Sequence, residues 1–247
     1  TIFPVGRLVR ILAPRAKYEF AYLKAAQEAD KKGFIPFVAF PNLTEVYCSS
    51  ELPPFFQNRL MARTRTEYAG QLTAIGLDAS ASEEQVLART NGLRATDPYE
   101  LFGEFEPGSG HNEWETTFFA RSLRRLDLPQ AIDALIPGQK LFCMRDVQNP
   151  TDAAAIALRN ERNAIVGYCP AYLVGDLGPL LEEPRAVSVT VERVNAPPTP
   201  LQLRLQCRLW VRVEAPAGFP GYRTGRFEPL ASDALRLTPL ARPAKVA

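Results

Sequence analysis

The segment from Leu141 to Leu158 constrains the fold of this 247-residue chain more than any other. An apolar run is followed by a polar loop that contains Asn149, Pro150 and Asp152, and then by a second apolar run. Asn and Asp next to Pro favour turns, because their short side chains hydrogen-bond to the backbone while proline restricts φ. The pattern therefore predicts two strands joined by a turn that carries an amide and a carboxylate.

The rest of the second half is also predicted to be rich in strands. Residues 164–170 form a third apolar run after a charged turn. Residues 187–191 and 201–209 alternate apolar with polar side chains, as expected for half-buried strands. Two helices are predicted between these strands, at residues 129–136 and 170–181.

The first half mixes strand-like and helix-like segments. Residues 8–12 and 18–23 predict a hairpin, and residues 34–40 predict an edge strand because the run contains a proline. Ser82 and Gln85 are spaced as a capping box at the start of a helix. Helices are predicted for a short run that ends at Gly33 and for residues 53–62, 66–75, 82–90 and 96–102.

Residues 106–112 combine Gly, Pro, Ser and Asn between these two patterned regions. Such clusters of turn-forming residues are typical of domain boundaries. We therefore predict an α+β domain at residues 1–110, a β-rich domain at 111–215, and a Pro/Gly-rich C-terminal extension at 216–247.

The composition is that of a globular protein with a formal net charge of +2. A charge this close to zero argues against bulk coating of nucleic acid but is compatible with a local basic groove. No run approaches the roughly 20 apolar residues of a membrane span, and the first residues lack a signal-peptide pattern. We expect a cytoplasmic protein with no membrane partner.

Cysteine and histidine spacing argues against a metal site. The four cysteines are widely separated, and His111, in a Gly-rich segment, is the only histidine. Structural zinc needs clustered thiolates and imidazoles, so we expect no metal and no cofactor. Cys143 and Cys207 lie in apolar strand-like runs and are predicted to be small core residues.

The order of motifs from about Phe118 to about Val213 resembles the HIRAN domain. The matching pieces are Ser122–Arg125, Gly138 before an apolar strand, the Asn-Pro-x-Asp loop, and Gly167–Tyr168 before a helix. The resemblance implies an OB-like small β-barrel with two helices. It also implies binding of single-stranded DNA with capture of a free 3′ end, as in DNA repair or processing.

The same resemblance implies roles for individual residues. Asp152 would accept a hydrogen bond from a terminal 3′-hydroxyl, and Tyr168 would stack on a base. Arginines would neutralise phosphates, and the amide side chains would bond to phosphate or sugar. The implied nucleic-acid-binding residues are Arg124, Arg125, Gln148, Asn149, Thr151, Asp152 and Tyr168.

Three positions depart from the family pattern. Thr151 stands where a stacking tyrosine is frequent, Ala154 replaces a polar residue, and Ala171 replaces a cation. Each change removes a contact to a base or a phosphate, so the pattern predicts weaker DNA binding than in a typical member, or none.

Simpler interpretations exist for the same side chains. Asn149 and Asp152 are compatible with a structural turn, and Tyr168 with a core or interface aromatic. Arg124 and Arg125 are equally compatible with a solvated strand end. Other arginines on the predicted strand, Arg204 and Arg208, are more typical of a solvated face than of a DNA groove.

The first half resembles the N-terminal segment of HipA-type toxin kinases. The similarity rests on the aromatic strand Tyr18–Tyr22 and on the run Leu52–Leu60, which reads LPPFFQNRL. No Gly-rich phosphate loop or paired metal-binding carboxylates are present in the sequence, so kinase activity is not implied. The aromatic residues of both runs are predicted to form the core of this half.

Two functional hypotheses remain at this point. The first is a non-enzymatic protein that binds single-stranded DNA ends through its second half and a protein partner through residues 1–110. The alternative is a protein-interaction or antitoxin-like adaptor that does not bind DNA. Nuclease activity is not expected, since Asp152 has no obvious partner carboxylate in the sequence to hold a metal with it, and we assign no catalytic residue.

Overall fold

The computed structural model describes residues 2–12, 17–126, 130–183, 186–213 and 225–231. The chain divides into two compact units, one formed by residues 3–55 with 222–247 and the other by residues 56–221. The division thus lies far from the expected boundary at residue 110. The three-part division of the chain stays a prediction.

The first unit is built on a three-stranded antiparallel sheet. Strands β1 (Gly6–Ile11), β2 (Lys17–Tyr22) and β3 (Val46–Ser49) lie in that order, and helix α1 (Ala25–Asp30) follows the central strand. The predicted hairpin is confirmed by the pairing of β1 with β2. Strand β3 was not predicted.

Residues 34–40 do not form the predicted edge strand. They form a turn-containing segment packed on β2, where the Tyr22 hydroxyl accepts from the Phe37 amide (2.7 Å) and donates to the Phe40 carbonyl (2.8 Å). The Phe20 ring stacks on Phe40 with 4.2 Å between centroids. The prediction that the aromatic residues of the two runs are core residues is confirmed for Tyr18, Phe20, Tyr22 and Phe56, which are buried, whereas Phe55 is half-buried.

Part of the C-terminal extension belongs to the first unit. Pro229 bridges to Leu23, and the Leu230 amide donates to the Tyr22 carbonyl (2.9 Å). Glu228 forms an ion pair with Lys24. Residues 225–231 therefore add a short partner to the end of β2, and the rest of the predicted extension lies outside the described residues.

The second unit contains a seven-stranded antiparallel sheet in the order β4-β5-β10-β9-β6-β7-β8. Among the described residues this strand order is open, so the predicted barrel is not closed. One isolated bridge, Arg121 to Tyr168, connects the segment after β5 to β8. The strands are β4 (Glu106–Pro107), β5 (Glu113–Phe119), β6 (Lys140–Arg145), β7 (Ile156–Arg159), β8 (Ile165–Tyr168), β9 (Val187–Val194) and β10 (Leu205–Arg212).

Most of the predicted helices form in the expected order, several of them shorter than expected, but residues 96–102 contain no helix. Helix α4 begins with the predicted capping box, in which the Ser82 side chain and Gln85 bond to each other's backbone amides. The predicted helix at residues 170–181 is confirmed, whereas that at 129–136 is reduced to one turn within the described residues. The helices are α2 (Pro54–Gln57), α3 (Tyr68–Ala74), α4 (Glu83–Thr90), α5 (Gln130–Asp133) and α6 (Ala171–Leu180).

Helices α3 and α4 share a core with the sheet. Buried Gln206 in β10 donates to the Ile75 carbonyl (3.1 Å), and Asn195 donates to the Ala74 carbonyl (2.7 Å). One hydrophobic cluster combines Leu72, Ile75, Ala81 and Val86 with Phe119 from β5. Residues 106–112, predicted as a linker, form the hairpin between β4 and β5. The helices before this hairpin cover apolar surface that β5 and β10 would otherwise expose.

Asp176 in α6 is a half-buried carboxylate whose pKa is raised to about 6 by desolvation. Within the described residues it has no ion pair or hydrogen bond to offset that cost. The folded-state pKa of Asp176 is higher than its unfolded value near 3.8. The contribution of this carboxyl group to stability is therefore greatest below pH 3.8 and is lost as the pH rises towards 6.

We predict that Asp176→Asn increases the free energy of unfolding at neutral pH. The expected gain is about 1–2 kcal/mol, the full shift being discounted for partial exposure. Urea denaturation should show this gain at about pH 7.5 and a much smaller one at about pH 4.5, where the native carboxyl is protonated. Asp78→Asn is the control: Ser80 lowers the pKa of exposed Asp78, so this variant should show no gain at neutral pH.

Candidate functional site

The polar loop between β6 and β7 is closed by its own backbone. The Asp146 amide donates to the Ala155 carbonyl (2.8 Å), and the Asn149 amide donates to the Asp146 carbonyl (3.0 Å). Strands β6 and β7 pair in register up to Arg145 and Ile156. The loop therefore extends a regular hairpin, as the sequence predicted.

Asn149 organises this loop from within. Its side-chain oxygen accepts from the backbone amides of Thr151 (3.0 Å) and Asp152 (3.1 Å). Its side-chain nitrogen donates to the Asp146 carboxylate (3.1 Å). The simpler interpretation of Asn149 as a turn residue is thus correct, and the same bonds position the two residues that follow Pro150.

Asp152 lies exposed on the loop. One carboxylate oxygen accepts from the Ala154 amide (3.0 Å). The other has no hydrogen-bond partner among the described residues and is available to a ligand. Asp152 therefore both stabilises the turn and presents an acceptor to solvent.

Tyr168 is connected to this loop through Asp146. Its hydroxyl donates to the Asp146 carboxylate (2.9 Å), to the same oxygen that Asn149 contacts. Burial, together with this hydrogen bond, raises the pKa of Tyr168. The half-buried ring is thereby held at one position beside the loop.

The backbone of Tyr168 is held by the segment that follows β5. Its carbonyl accepts from the Arg121 amide (2.8 Å), and its amide donates to the Arg121 carbonyl (3.1 Å). The Arg121 side chain bonds to Glu100 (2.7 Å) and to buried Asn91 (3.0 Å). Residues before the predicted boundary thus help to support the site.

Gly167 allows this close approach. A Cβ atom at this position would lie 2.8 Å from the Ala120 Cβ and 3.1 Å from the Leu123 side chain. Glycine is therefore required if residues 120–125 are to lie against β8, which accounts for the Gly-Tyr pair singled out from the sequence.

The structure brings together only part of the predicted site. Asn149 and Tyr168 meet through Asp146, and Asn149 holds the backbone of Thr151 and Asp152. Two other predicted residues, Arg124 and Gln148, are exposed and have no contact with this cluster among the described residues. Arg125 ends a short 3-10 turn, Leu123–Arg125, and its side chain lies outside the description.

Asp146 is the functional residue that sequence reasoning missed. It lies three residues before Asn149, a spacing that indicates a turn. Its bond to Tyr168 spans 22 residues, and no local pattern indicates that contact.

The arginines Arg204 and Arg208 are already paired. Arg208 contacts Glu192 (2.8 Å) and Glu115 (3.2 Å), which raises the pKa of its guanidinium. Arg204 pairs with Asp133. Arg208 thus fits the predicted solvated face, whereas the Arg204 side chain is only 11% exposed and does not.

Three of the four cysteines are buried or half-buried, whereas Cys48 is exposed. Cys169 and Cys207 are buried, and Cys143 is partly buried and hydrogen-bonded to Cys169. Burial raises the pKa of the Cys207 thiol. The part of the chain that the structure describes contains no cluster of three or more His, Cys, Asp or Glu side chains suited to a metal, and no helix there is long and apolar enough to cross a membrane.

Comparison with known proteins identifies the region that carries this site. Residues 115–214 match the family model of the HIRAN domain. Two solved structures are similar at 19% identity: a protein from Lactobacillus plantarum (40% of this chain, 96% of that chain, TM-score 0.33) and the HIRAN domain of human HLTF (40% and 76%, TM-score 0.30). No curated protein matches the chain.

The chain thus contains a HIRAN domain at residues 115–214, and that part of the predicted resemblance is confirmed. The resemblance of the first half to HipA-type kinases stays a prediction.

We predict that Gly167→Ala destabilises the protein by about 1–3 kcal/mol, the usual cost of forcing extra volume into a packed site. Urea denaturation measures the loss. Gly175→Ala in α6 is the matched control, because its Cβ would meet no atom within 4 Å and alanine favours a helix. Equal stability of the two variants would contradict the proposed close approach.

Proposed function

We propose that this protein binds single-stranded DNA through residues 115–214 and recognises a free 3′-hydroxyl end. The observation that carries the proposal is the exposed Asp152 carboxylate on a loop ordered by Asn149, which shares the Asp146 carboxylate with Tyr168. The match of these residues to the HIRAN family supports the same function.

The carboxylate of Asp152 provides the end preference. Its unpaired oxygen accepts a hydrogen bond from the terminal 3′-hydroxyl, a charge-assisted bond that is stronger than a neutral one. A 3′-phosphate brings negative charge to the same position and is repelled. The Asn149 bonds reduce the entropy lost when the loop binds DNA, because the loop is already ordered.

Tyr168 provides a stacking surface for a base near the end. Its hydroxyl is bonded to Asp146, so the ring is oriented before DNA arrives. Stacking of a base on an aromatic ring contributes about 1–3 kcal/mol and tolerates any base.

Arg124, Arg125 and Gln148 contact the DNA backbone in this proposal. Arg124 is exposed and has no ion pair among the described residues, so its charge is available to a phosphate. The three departures from the family, Thr151, Ala154 and Ala171, are all exposed and provide no ring or cation. We therefore expect modest affinity.

The wider role in this proposal is a cytoplasmic protein of DNA repair or processing, without a catalytic step of its own. Residues 1–110 would bind a protein partner. The adaptor hypothesis makes a different prediction, namely a stable protein partner and no DNA binding even at low salt.

We predict that the protein binds a 3′-hydroxyl oligonucleotide about tenfold or more tightly than its 3′-phosphate counterpart. A hydrogen bond to a charged group contributes about 1.5–3 kcal/mol, so Asp152→Asn should remove most of this preference. Fluorescence anisotropy titrations measure both dissociation constants.

Glu161→Gln provides the matched control for this prediction. It removes the same charge from an exposed residue beyond the other end of β7. The preference should persist in this variant. Equal affinity of the wild-type protein for the two ends would exclude end recognition.

We also predict that Arg124→Gln weakens binding and reduces the slope of log K against log salt by about one, as expected for one lost phosphate contact. Arg208→Gln removes the same charge from an arginine that already contacts two carboxylates, so its slope should match the wild type. A slope unchanged by Arg124→Gln would show that this side chain does not contact phosphate.

A further inference from the structure

Phe142 in β6 is an exposed aromatic residue that the proposed end-binding site does not use. It is 40% exposed, more than any other described Phe, Tyr or Trp side chain. The Lys140 ammonium lies 5.5 Å from its ring centroid. An exposed ring next to a cation can contact a base and a phosphate together.

The strand register places Phe142 on the same face as Tyr168. Met144 in β6 is opposite Ala157 in β7, which is opposite Tyr168 in β8. Directly opposed residues of antiparallel strands point to the same face, and so do residues two apart on one strand. Phe142, two residues from Met144, therefore shares the face that carries Tyr168.

Arg159 completes this surface. It lies directly opposite Phe142, so its side chain lies beside the ring on the same face. Its Nε atom is buried and has no hydrogen-bond partner. Neither Arg159 nor Lys140 has an ion pair within the described residues.

The adjoining part of the sheet differs in charge. Arg208 in β10 is neutralised by Glu192 in β9 and Glu115 in β5. Of the cations on β6 and β7, Lys140 and Arg159 have no ion pair within the described residues, whereas Arg145 pairs with Glu182. An exposed ring between two free cations is complementary to a base flanked by phosphates.

We infer that Lys140, Phe142 and Arg159 form a second contact surface for single-stranded nucleic acid, which rests on the proposed function. The ring stacks on a base, and the two cations contact phosphates on either side. Phe142 lies two strands away from Tyr168 across the sheet and two residues away along the strand direction, so the two residues are about 12 Å apart. The nucleic acid thus runs from its 3′ end at Tyr168 across β7 to Phe142. An oligonucleotide too short to extend beyond the end-binding site does not reach this surface.

The test compares two 3′-hydroxyl oligonucleotides, a dinucleotide and an octamer. For Phe142→Ala we expect octamer binding about 5- to 100-fold weaker, the usual effect of removing a base-stacking ring. Dinucleotide binding, measured by competition, should change less than about twofold. The ratio between 3′-hydroxyl and 3′-phosphate ends should be retained, because Asp152 is unchanged.

Matched variants separate stacking from general loss of apolar surface. Phe142→Trp should retain octamer affinity and Phe142→Leu should lose it, since only a ring can stack. Leu201→Ala removes another exposed apolar side chain of the same unit and should have no effect. Lys140→Gln and Arg159→Gln should each reduce the octamer's salt slope by about one.

The outcomes distinguish this inference from the proposed function. If the wild-type protein prefers 3′-hydroxyl ends but Phe142→Ala binds the octamer normally, the second surface is excluded and end recognition stands. If the wild-type protein binds neither oligonucleotide, both are excluded. If Phe142→Leu binds as tightly as the wild type, the contact is apolar, as a protein partner would make, and the stacking assignment is wrong.

Discussion

The Asp146 carboxylate connects the loop after β6 to the end of β8, since one of its oxygens accepts from both Asn149 and Tyr168. Without this shared acceptor, the loop would be held only by bonds within itself, and the Tyr168 hydroxyl would lose this partner. Half-buried polar groups gain little net free energy from a hydrogen bond, but leaving one unsatisfied is costly. The carboxylate therefore determines where the loop, the ring and Asp152 lie relative to each other.

A second set of contacts supports the far side of this site. The Arg121 backbone pairs with Tyr168, and its side chain is held by Asn91 and Glu100. In addition, the Phe102 ring stacks on Tyr172 in α6 with 4.3 Å between centroids. The segment before β4 is thus part of the support for a site in the HIRAN domain, because these partners are buried or half-buried and cannot be replaced by water at equal cost.

Charge on the sheet is distributed unevenly, and this affects function. Arg208 and Arg212 of β10 are paired with neighbouring carboxylates, which contributes little stability at an exposed position but occupies their charges. On β6 and β7, Arg145 is paired with Glu182, whereas Lys140 and Arg159 have no ion pair within the described residues. A net charge of +2 does not show how the charges are distributed, so composition alone could not locate these two cations.

The sequence by itself determined the local features: the hairpin with its Asn-Pro-x-Asp turn, the capping box of α4, helix α6 and the HIRAN resemblance. These depend on hydrogen bonds and periodicities within a few residues, such as those from Asn149 to Thr151 and Asp152. Only the tertiary structure decided that the strand order is open, that α3 and α4 share the core of the sheet, and that Asp146 meets Tyr168. Those contacts join residues that are between 22 and 131 positions apart in the sequence. A local pattern that indicates a strand does not indicate the partner of that strand or its register.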